Sequence, residues 1–351
     1  MTQDAIQGLI DALPLPSLIV TQGDRIVGAN ARAEKLLGQG LAGRHLVTVL
    51  RHPSVLDAIE ACATSHQPKT TRYLTSADRN EITYQVYCGY VELAEVQGVL
   101  VSFEDITDVE AVGQMRRDFV ANVSHELRTP LTALMGFIET LQGPAQNDPV
   151  AQKRFLGIMM TEAGRMNRLV SDLLSLSQVE SEERIRPSHS IDLTLLIGST
   201  LRSIAPVADK ARVKLVKEVP TDLVLVPGDE DQLRQVFTNL IENAIKDGGD
   251  DQTVTVKLTH VQRDPALRGP AVRIEVCDTG PGIDQVHLPR LTERFYRVDS
   301  HRSREMGGTG LGLAIVKHVL LRHQGRLDIS STPGQGSRFS CHFQNSQVSE
   351  R

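Results

Sequence analysis

The most regular pattern of apolar residues lies between residues 150 and 180 and predicts a long amphipathic helix. Its positions recur at alternating spacings of four and three residues, and one of them is polar: Phe155, Met159, Glu162, Met166, Leu169, Leu173 and Leu176. This is the heptad spacing of helices that pack along one seam. A looser stripe precedes it and predicts another helix: Val112, Phe119, Val123, Leu127, Leu134, Ile138 and Leu141.

The segment between these stripes contains Gly143-Pro144 and Asp148-Pro149 and has the composition of a loop, so the helices form an antiparallel hairpin. A hairpin with one continuous apolar seam cannot bury that seam alone. We therefore expect two copies of the chain to pair in a four-helix bundle, as a homodimer. The alternative is that both helices pack on other domains of the same chain.

The two flanking regions mix strands and helices. In residues 1–108 we predict a strand hairpin at 18–20 and 26–27, a helix at 31–37, and strands at 84–90 and 99–103. In residues 190–345 we predict helices at 230–246 and 311–323, and strands at 254–258, 272–277, 326–330 and 338–343. The segment 178–190 is charged and poor in apolar residues, which is typical of a linker. The fold class is therefore multidomain α+β, with domains at 1–108, 109–182 and 190–345.

Composition narrows the class of protein. The 351 residues leave room for two or three domains, and 40% hydrophobic with 23% charged residues is typical of a soluble globular protein. The net charge of −5 argues against direct nucleic-acid binding. No apolar run is long enough to span a membrane and no secretory signal is present, so we expect a cytoplasmic chain; a longer parent with membrane anchors upstream stays compatible with the sequence.

The cysteines are far apart in the sequence and match no zinc-binding or redox spacing. They are Cys62, Cys88, Cys277 and Cys341. We interpret them as buried, reduced thiols of a protein in a reducing compartment.

Three glycine-rich stretches lie in the C-terminal region, at residues 278–283 (Asp-Thr-Gly-Pro-Gly-Ile), 307–313 (Gly-Gly-Thr-Gly-Leu-Gly-Leu) and 334–337 (Gly-Gln-Gly-Ser). Glycine lets the backbone approach a ligand closely. The second stretch runs into a predicted helix, whose N-terminal N–H groups favour phosphate. One such stretch would be weak evidence, because glycine loops are common in turns.

A polar helix face accompanies these stretches. Asn239, Asn243 and Lys246 are spaced four and three residues apart, so they share one side of the helix. An amide oxygen can bind Mg²⁺, and a lysine can bind phosphate. On its own this would be an ordinary polar face; together with the glycine stretches it indicates a nucleotide site.

The order of an Asn helix, a DxGxGI stretch, an Arg-Phe-Tyr-Arg segment and a GTGLGLAI stretch resembles the Bergerat-type ATPase domain, an α/β sandwich. Histidine kinases, type II topoisomerases, heat-shock chaperones and mismatch-repair ATPases share it. The resemblance implies ATP and Mg²⁺ as cofactors, Asn243 as the metal ligand, Asp278 on the adenine amino group, and Lys246 and Arg297 on the phosphates. The other nucleotide-binding residues it implies are Asn239, Gly280, Gly282, Gly308, Thr309, Gly310, Leu311 and Gly312.

The same resemblance implies a mobile lid over ATP at residues 284–306. The chain departs from the pattern at Asp247, where many histidine kinases have an aromatic residue or histidine near the adenine. Ser337 replaces the more usual Thr in the third glycine stretch, which keeps the hydroxyl group.

A second motif, Ser-His-Glu-Leu-Arg-Thr-Pro-Leu at residues 124–131, lies on the first hairpin helix. An unprotonated imidazole is a good nucleophile, and a neighbouring carboxylate can accept its proton. His125 and Glu126 meet these needs, although Glu126 could equally be a solvated surface charge. Pro130 removes the helical hydrogen bond to the Glu126 carbonyl and predicts a kink.

This string resembles the phosphoacceptor box of sensor histidine kinases. The resemblance implies that His125 attacks the γ-phosphoryl group of ATP, that Glu126 is the base, and that Thr129 positions water for dephosphorylation of a partner. The N-terminal region resembles a PAS domain, from residues 10–14 and 27–30 at its start and 101–107 at its end. The whole layout is similar to phosphate-regulon sensor kinases without the membrane anchor.

The expected function is ATP-dependent autophosphorylation of His125, followed by transfer to an aspartate on the receiver domain of a response regulator, in phosphate-starvation signalling. The alternative that the chain acts chiefly as a phosphatase toward that regulator stays open. Signal input could come through a membrane or an accessory protein. The competing interpretations are a Bergerat-type ATPase without phosphotransfer and a scaffold with a decayed ATP site.

Overall fold

The computed structural model describes residues 3–21, 23–77, 80–93, 96–183, 185–248, 252–265, 267–298 and 308–344. The chain forms two compact units, Met1–Ala121 and Asn122–Arg351. The long helix α5, Thr107–Gln142, belongs to both. The three domain ranges drawn from the sequence stay predictions.

The N-terminal unit is built on an antiparallel sheet with strand order β2-β1-β5-β4-β3. Its strands are β1 Ser17–Thr21, β2 Ile26–Ala29, β3 Lys69–Ala77, β4 Asn80–Leu93 and β5 Val96–Asp105. Its helices are α1 Gln3–Asp11, α2 Ala31–Leu37, α3 Leu46–Val49 and α4 Pro53–Ser65. The predicted hairpin, helix and two strands are confirmed, whereas α1, α3, α4 and β3 were not predicted.

The core of this unit is mainly aliphatic and also contains the fully buried ring of Phe103. Buried side chains of β1, β2 and β5 pack with those of α4, while Ile6 and Ile10 of α1 cover Ile19. Asn30 is buried at the start of α2, where its side chain accepts from the N–H of Ala33 at 2.9 Å. It therefore serves as the N-cap of that helix.

The second unit begins with the helical hairpin. Helix α5 continues past the buried Pro130, so the proline does not end it. Helix α6, Pro149–Ser181, starts at the N-cap Asp148. Phe137 of α5 and Phe155 of α6 stack with ring centroids 5.4 Å apart, which ties the two helices together.

The predicted linker at 178–190 was too long. Helix α6 runs on to Ser181 because Leu176 and Val179 are buried, and strand β6, His189–Asp192, begins soon afterwards. Because the segment 178–190 is rich in charged residues, the sequence did not predict that the last buried turn of α6 extends into it.

The rest of the unit is an α/β sandwich. Its main sheet has the order β11-β12-β10-β9-β7, and β7 is parallel to β9 while the other pairs are antiparallel. Its strands are β7 Lys214–Glu218, β9 Thr253–Asp264, β10 Gly269–Asp278, β11 Arg326–Thr332 and β12 Gly336–Gln344, and β8 Leu225–Gly228 pairs with β6. Its helices are α7 Leu193–Lys210, α8 Glu230–Asp247 and α9 Gly312–Arg322. The predicted elements are confirmed, and β6, α7, β7 and β8 are additional.

All four cysteines lie within the described residues and are free thiols. Cys62, Cys88 and Cys341 are buried free thiols, and Cys277 is a half-buried one. Burial raises the pKa of Cys88 to about 12.

Across the described ranges, no helix has both the length and the apolar character needed to cross a bilayer.

Candidate active site

Helix α8 presents its predicted polar face to a cavity of roughly 410 Å³. Asn239, Asn243 and Lys246 all line it. The Asn239 amide donates to the carbonyl of Gly312 at 3.3 Å, which joins α8 to the second glycine stretch. Lys246 pairs with Glu242 one turn earlier, at 2.7 Å. The face predicted from spacing is therefore a cavity wall, and two of its members also have partners within the protein.

Asp278 lies at the end of β10 and lines the same cavity. Its Oδ1 accepts from the N–H of Gly280 at 2.9 Å and from the N–H of Ser337 at 3.2 Å. Burial raises the pKa of this carboxyl group, and these backbone hydrogen bonds act in the opposite direction. The first and third glycine stretches are thus held together by one carboxylate.

At two positions in these loops, the packing leaves no room for a side chain, so only glycine fits. Gly282 has a φ of 71°, and a Cβ there would overlap the carbonyl oxygen of Thr332. Gly310 has a φ of 72°, and its Cβ would lie 2.8 Å from the Cα of Phe295. The sequence indicated that glycine is needed here so that the backbone can approach a ligand closely. The structure shows a second reason, which is close approach to other backbone segments.

The predicted nucleotide-binding residues fall into two groups. Those that line the cavity are Asn239, Asn243, Lys246, Asp278, Gly282, Arg297, Gly308, Thr309, Gly310 and Gly312. Leu311 is instead buried in the core, and its N–H donates to the Thr309 hydroxyl at 3.3 Å. Gly280 supports the loop through Asp278.

The predicted lid is described as far as residue 298. It contains a short 3₁₀ helix, Leu288–Arg290, and Arg290 lies over the ring of Tyr296 at 4.3 Å from its centroid. The part at 299–306, together with Gly307, lies outside the described residues, as does the side chain of Asp247. The lid and the effect of Asp247 on adenine binding stay predictions.

Arg297 links the cavity to the phosphoacceptor helix. Its guanidinium group donates to the carbonyl of Gly308 and lies 3.6 Å from Glu126. Glu126 also pairs with Arg165 of α6 at 3.0 Å. Only 26% of the Glu126 side chain is exposed, so it is not a solvated surface charge. Neither arginine partner of Glu126 was predicted.

His125 is exposed on α5, next to Glu126 in the sequence. Within the described chain, no side-chain hydrogen bond joins its ring to Glu126. The hydroxyl of Thr129 donates to the backbone carbonyl of His125 at 3.2 Å, one helical turn away. The catalytic roles of these three residues stay predictions.

Two cavity residues were missed because they belong to the hairpin. Arg168 and Asp172 of α6 line the same cavity as the glycine loops. Asp172 accepts a hydrogen bond of 2.7 Å from the Thr309 hydroxyl. With Arg165 they are spaced three and four residues apart, a polar face beside the heptad seam that the sequence does contain.

Comparison with known proteins agrees with both halves of this site. Residues 228–347 match the family of histidine kinase-, DNA gyrase B- and HSP90-like ATPases, and residues 115–182 match the His Kinase A phospho-acceptor domain. The fold and the site therefore define a protein histidine kinase with an ATP-binding domain.

The chain is 36% identical over 350 residues to the phosphate regulon sensor protein PhoR of Pseudomonas aeruginosa, which covers 99% of this chain and 76% of PhoR. It is 33% identical over 338 residues to the sensor protein kinase WalK of Staphylococcus saprophyticus, covering 92% of this chain but 53% of WalK. The chain thus spans about half the length of that relative. It belongs to the sensor histidine kinases of two-component systems.

A crystal structure of the histidine kinase ThkA, in complex with the response regulator protein TrrA, has the same fold. Its TM-score is 0.53 at 20% identity, over 98% of this chain and 99% of the ThkA chain in that structure. The predicted fold class is confirmed, while the assignment of residues 1–108 as a PAS domain stays a prediction.

Proposed function

We propose that the chain binds ATP in the cavity beside α8 and phosphorylates His125. The observation that carries this proposal is the position of Arg297. This residue lines the nucleotide cavity and its guanidinium group lies 3.6 Å from Glu126, the neighbour of His125. One side chain thus contacts both the predicted phosphate site and the predicted phosphoacceptor site.

Different cavity residues bind different parts of the nucleotide. Asp278 accepts a hydrogen bond from the adenine amino group, since its carboxylate is held at the cavity wall by two N–H groups. Lys246 and Arg297 bind the phosphates, exchanging Glu242 and Glu126 for phosphate oxygens. The N-terminus of α9, which starts at Gly312, adds backbone N–H groups.

Asn243 holds Mg²⁺. Its amide fits this ion because Mg²⁺ prefers oxygen ligands and keeps several waters and phosphate oxygens. In the described part of the chain, no group of three or more His, Cys, Asp or Glu side chains could hold a metal without such help. When bound, Mg²⁺ supplies charge neutralisation of the phosphates.

The reaction at His125 is an in-line displacement. A ring nitrogen forms a bond to the γ-phosphorus while the bond to the β–γ bridging oxygen breaks, and ADP leaves. Glu126 accepts the proton from the other ring nitrogen once its arginine partners turn to phosphate. Thr129, one turn later, positions water when the phosphorylated partner is hydrolysed.

The phosphoryl group then passes to an aspartate on the receiver domain of a response regulator. The working unit is a homodimer, since the hairpin exposes a second apolar stripe that a partner hairpin can cover. This stripe contains Leu131, Met135, Leu156, Met160 and Leu174. Similarity to the phosphate regulon sensor protein PhoR supports an input linked to phosphate starvation. We further propose that the chain works in the cytoplasm and receives its signal through a membrane or an accessory protein.

Labelling with γ-³²P-ATP and Mg²⁺ tests the kinase assignment. The wild-type chain should acquire an acid-labile, base-stable phosphate that His125→Ala abolishes. His189→Ala is the matched control, because His189 is also exposed but lies on β6 away from the cavity. Asn243→Ala should abolish labelling through loss of the metal, and retained labelling would refute its assigned role.

The same assay separates the competing functions. ATP hydrolysis without label on the chain indicates an ATPase without phosphotransfer. Neither hydrolysis nor label indicates a scaffold. Loss of label only from an added phosphorylated regulator indicates a phosphatase.

A further inference from the structure

Among the described residues that line the nucleotide cavity, one acidic residue comes from outside the ATP-binding domain. Asp172 lies on α6 of the hairpin, yet its side chain lines the cavity. Its Oδ2 accepts a hydrogen bond of 2.7 Å from the hydroxyl of Thr309, in the second glycine stretch. The residue therefore holds the loop expected to receive phosphate.

The surroundings of Asp172 show that it is only partly solvated. Burial raises its pKa, while the hydrogen bond from Thr309 and the nearby charges of Lys246 and Arg168 lower it. Lys246 is one of the two cations assigned to the phosphates. A carboxylate and a polyphosphate would therefore share Lys246 and the hydroxyl donor of Thr309.

We propose that Asp172 is a positioning residue that sets nucleotide affinity: its carboxylate fastens the Thr309 loop to α6 and competes with the terminal phosphate of ATP for this end of the cavity. The inference rests on the proposed function, because it assumes that the phosphates enter here. Repulsion between like charges is strong where water is partly excluded. It also grows with the number of phosphates, so it discriminates among ATP, ADP and AMP.

Other contacts hold α6 against the ATP-binding domain when the Asp172 charge is removed. Ser175 donates to Gln235 of α8 at 2.7 Å, and Arg322 pairs with Glu182 at 2.9 Å. Loss of the Asp172 carboxylate should thus leave the helix in place. The effect of the charge can therefore be separated from the effect of undocking.

Asp172→Asn keeps a hydrogen-bond acceptor for Thr309 and removes the charge. In the full chain with Mg²⁺, calorimetry should show ATP binding about tenfold tighter, ADP binding about threefold tighter and AMP binding unchanged. The KM for ATP in autophosphorylation should fall while kcat is retained. Thermal unfolding without nucleotide should match that of the wild type.

Ser175→Ala is the matched control, because it removes the neighbouring contact to the ATP-binding domain without changing cavity charge. It should leave the ratio of ATP to AMP affinity unchanged. An unchanged ratio in Asp172→Asn, or an equal change in Ser175→Ala, would overturn the inference alone. A wild-type chain that binds no ATP would overturn the proposed function and this inference with it.

Discussion

Replacement of Gly310 by alanine should weaken ATP binding and destabilise the ATP-binding domain. Gly310 has a φ of 72°, and its carbonyl accepts from the N–H of Phe295 at 2.8 Å. A Cβ would lie 2.8 Å from the Cα of Phe295 and 3.0 Å from its carbonyl carbon. Because both neighbours are backbone atoms, no change of rotamer can relieve the overlap.

The cost has two parts. A left-handed backbone costs a non-glycine residue about 1–2 kcal/mol. Overlap with surrounding atoms adds about 1–3 kcal/mol. Since about 1 kcal/mol lowers the unfolding temperature of a domain of this size by about 2–4 °C, we expect Gly310→Ala to lower it by about 10 °C.

Gly334→Ala isolates the first part of this cost. Gly334 also has a positive φ, 81°, but no atom lies within 4 Å of the position that a Cβ would take. It does not line the nucleotide cavity. We expect its unfolding temperature to fall by only about 4 °C and its ATP affinity to stay unchanged.

Thermal unfolding followed by circular dichroism, together with calorimetric titration of ATP, measures both effects. Gly310→Ala should lose about tenfold in ATP affinity, because displacement of the loop removes at least one charge-assisted hydrogen bond of about 1.5 kcal/mol. Equal unfolding temperatures for the two variants, with unchanged ATP affinity in both, would refute the reasoning.

Two further predictions concern titratable groups, the half-buried Asp278 and the buried His323. Asp278→Asn should lower ATP affinity about tenfold with little change in unfolding temperature, since an amide oxygen can still accept from the two loop N–H groups; an equal loss for GTP in the same titration would contradict a role at the adenine. Burial lowers the pKa of His323 from 6.5. The unfolded chain then binds the proton more readily, so the stability that the neutral ring contributes is present above about pH 6.5 and declines as the pH falls toward the folded-state pKa. Urea midpoints between about pH 5 and pH 8 should therefore fall more steeply for the wild type than for His323→Gln, and parallel slopes would argue against this linkage.

Elements with strong periodicity were predictable, and weakly patterned ones were not. The heptad on α6 predicted a buried seam, and Leu169 and Leu176 are buried. Strand β7 was missed because it is short and mostly exposed or half-buried, so its sequence shows no alternation. Helix α7 was missed although one face of it is buried, because it contains Gly198 and Pro206, which are residue types typical of loops.

The candidate site was predictable where its residues are close in sequence. Asn239 and Asn243 share a helix face by spacing alone, and the glycine stretches signal tight loops. The pairing of Thr309 with Asp172 joins residues 137 positions apart. No local pattern carries such a contact, because only packing of α6 against the ATP-binding domain brings the two side chains together.

The sequence by itself determined which chemical groups the candidate site contains: the histidine of the phosphoacceptor string, the carboxylate of Asp278 and the glycine loops in their order. Local spacing was enough for the polar face of α8 and for the glycine loops, since helix periodicity and glycine conformations depend on neighbouring residues. The roles expected of His125 and Asp278 came from the resemblance to histidine kinases. The tertiary structure decided which charges face each other. The Arg297 and Arg165 contacts of Glu126 and the Asp172 wall of the cavity arise from packing between distant segments, which no short-range pattern records.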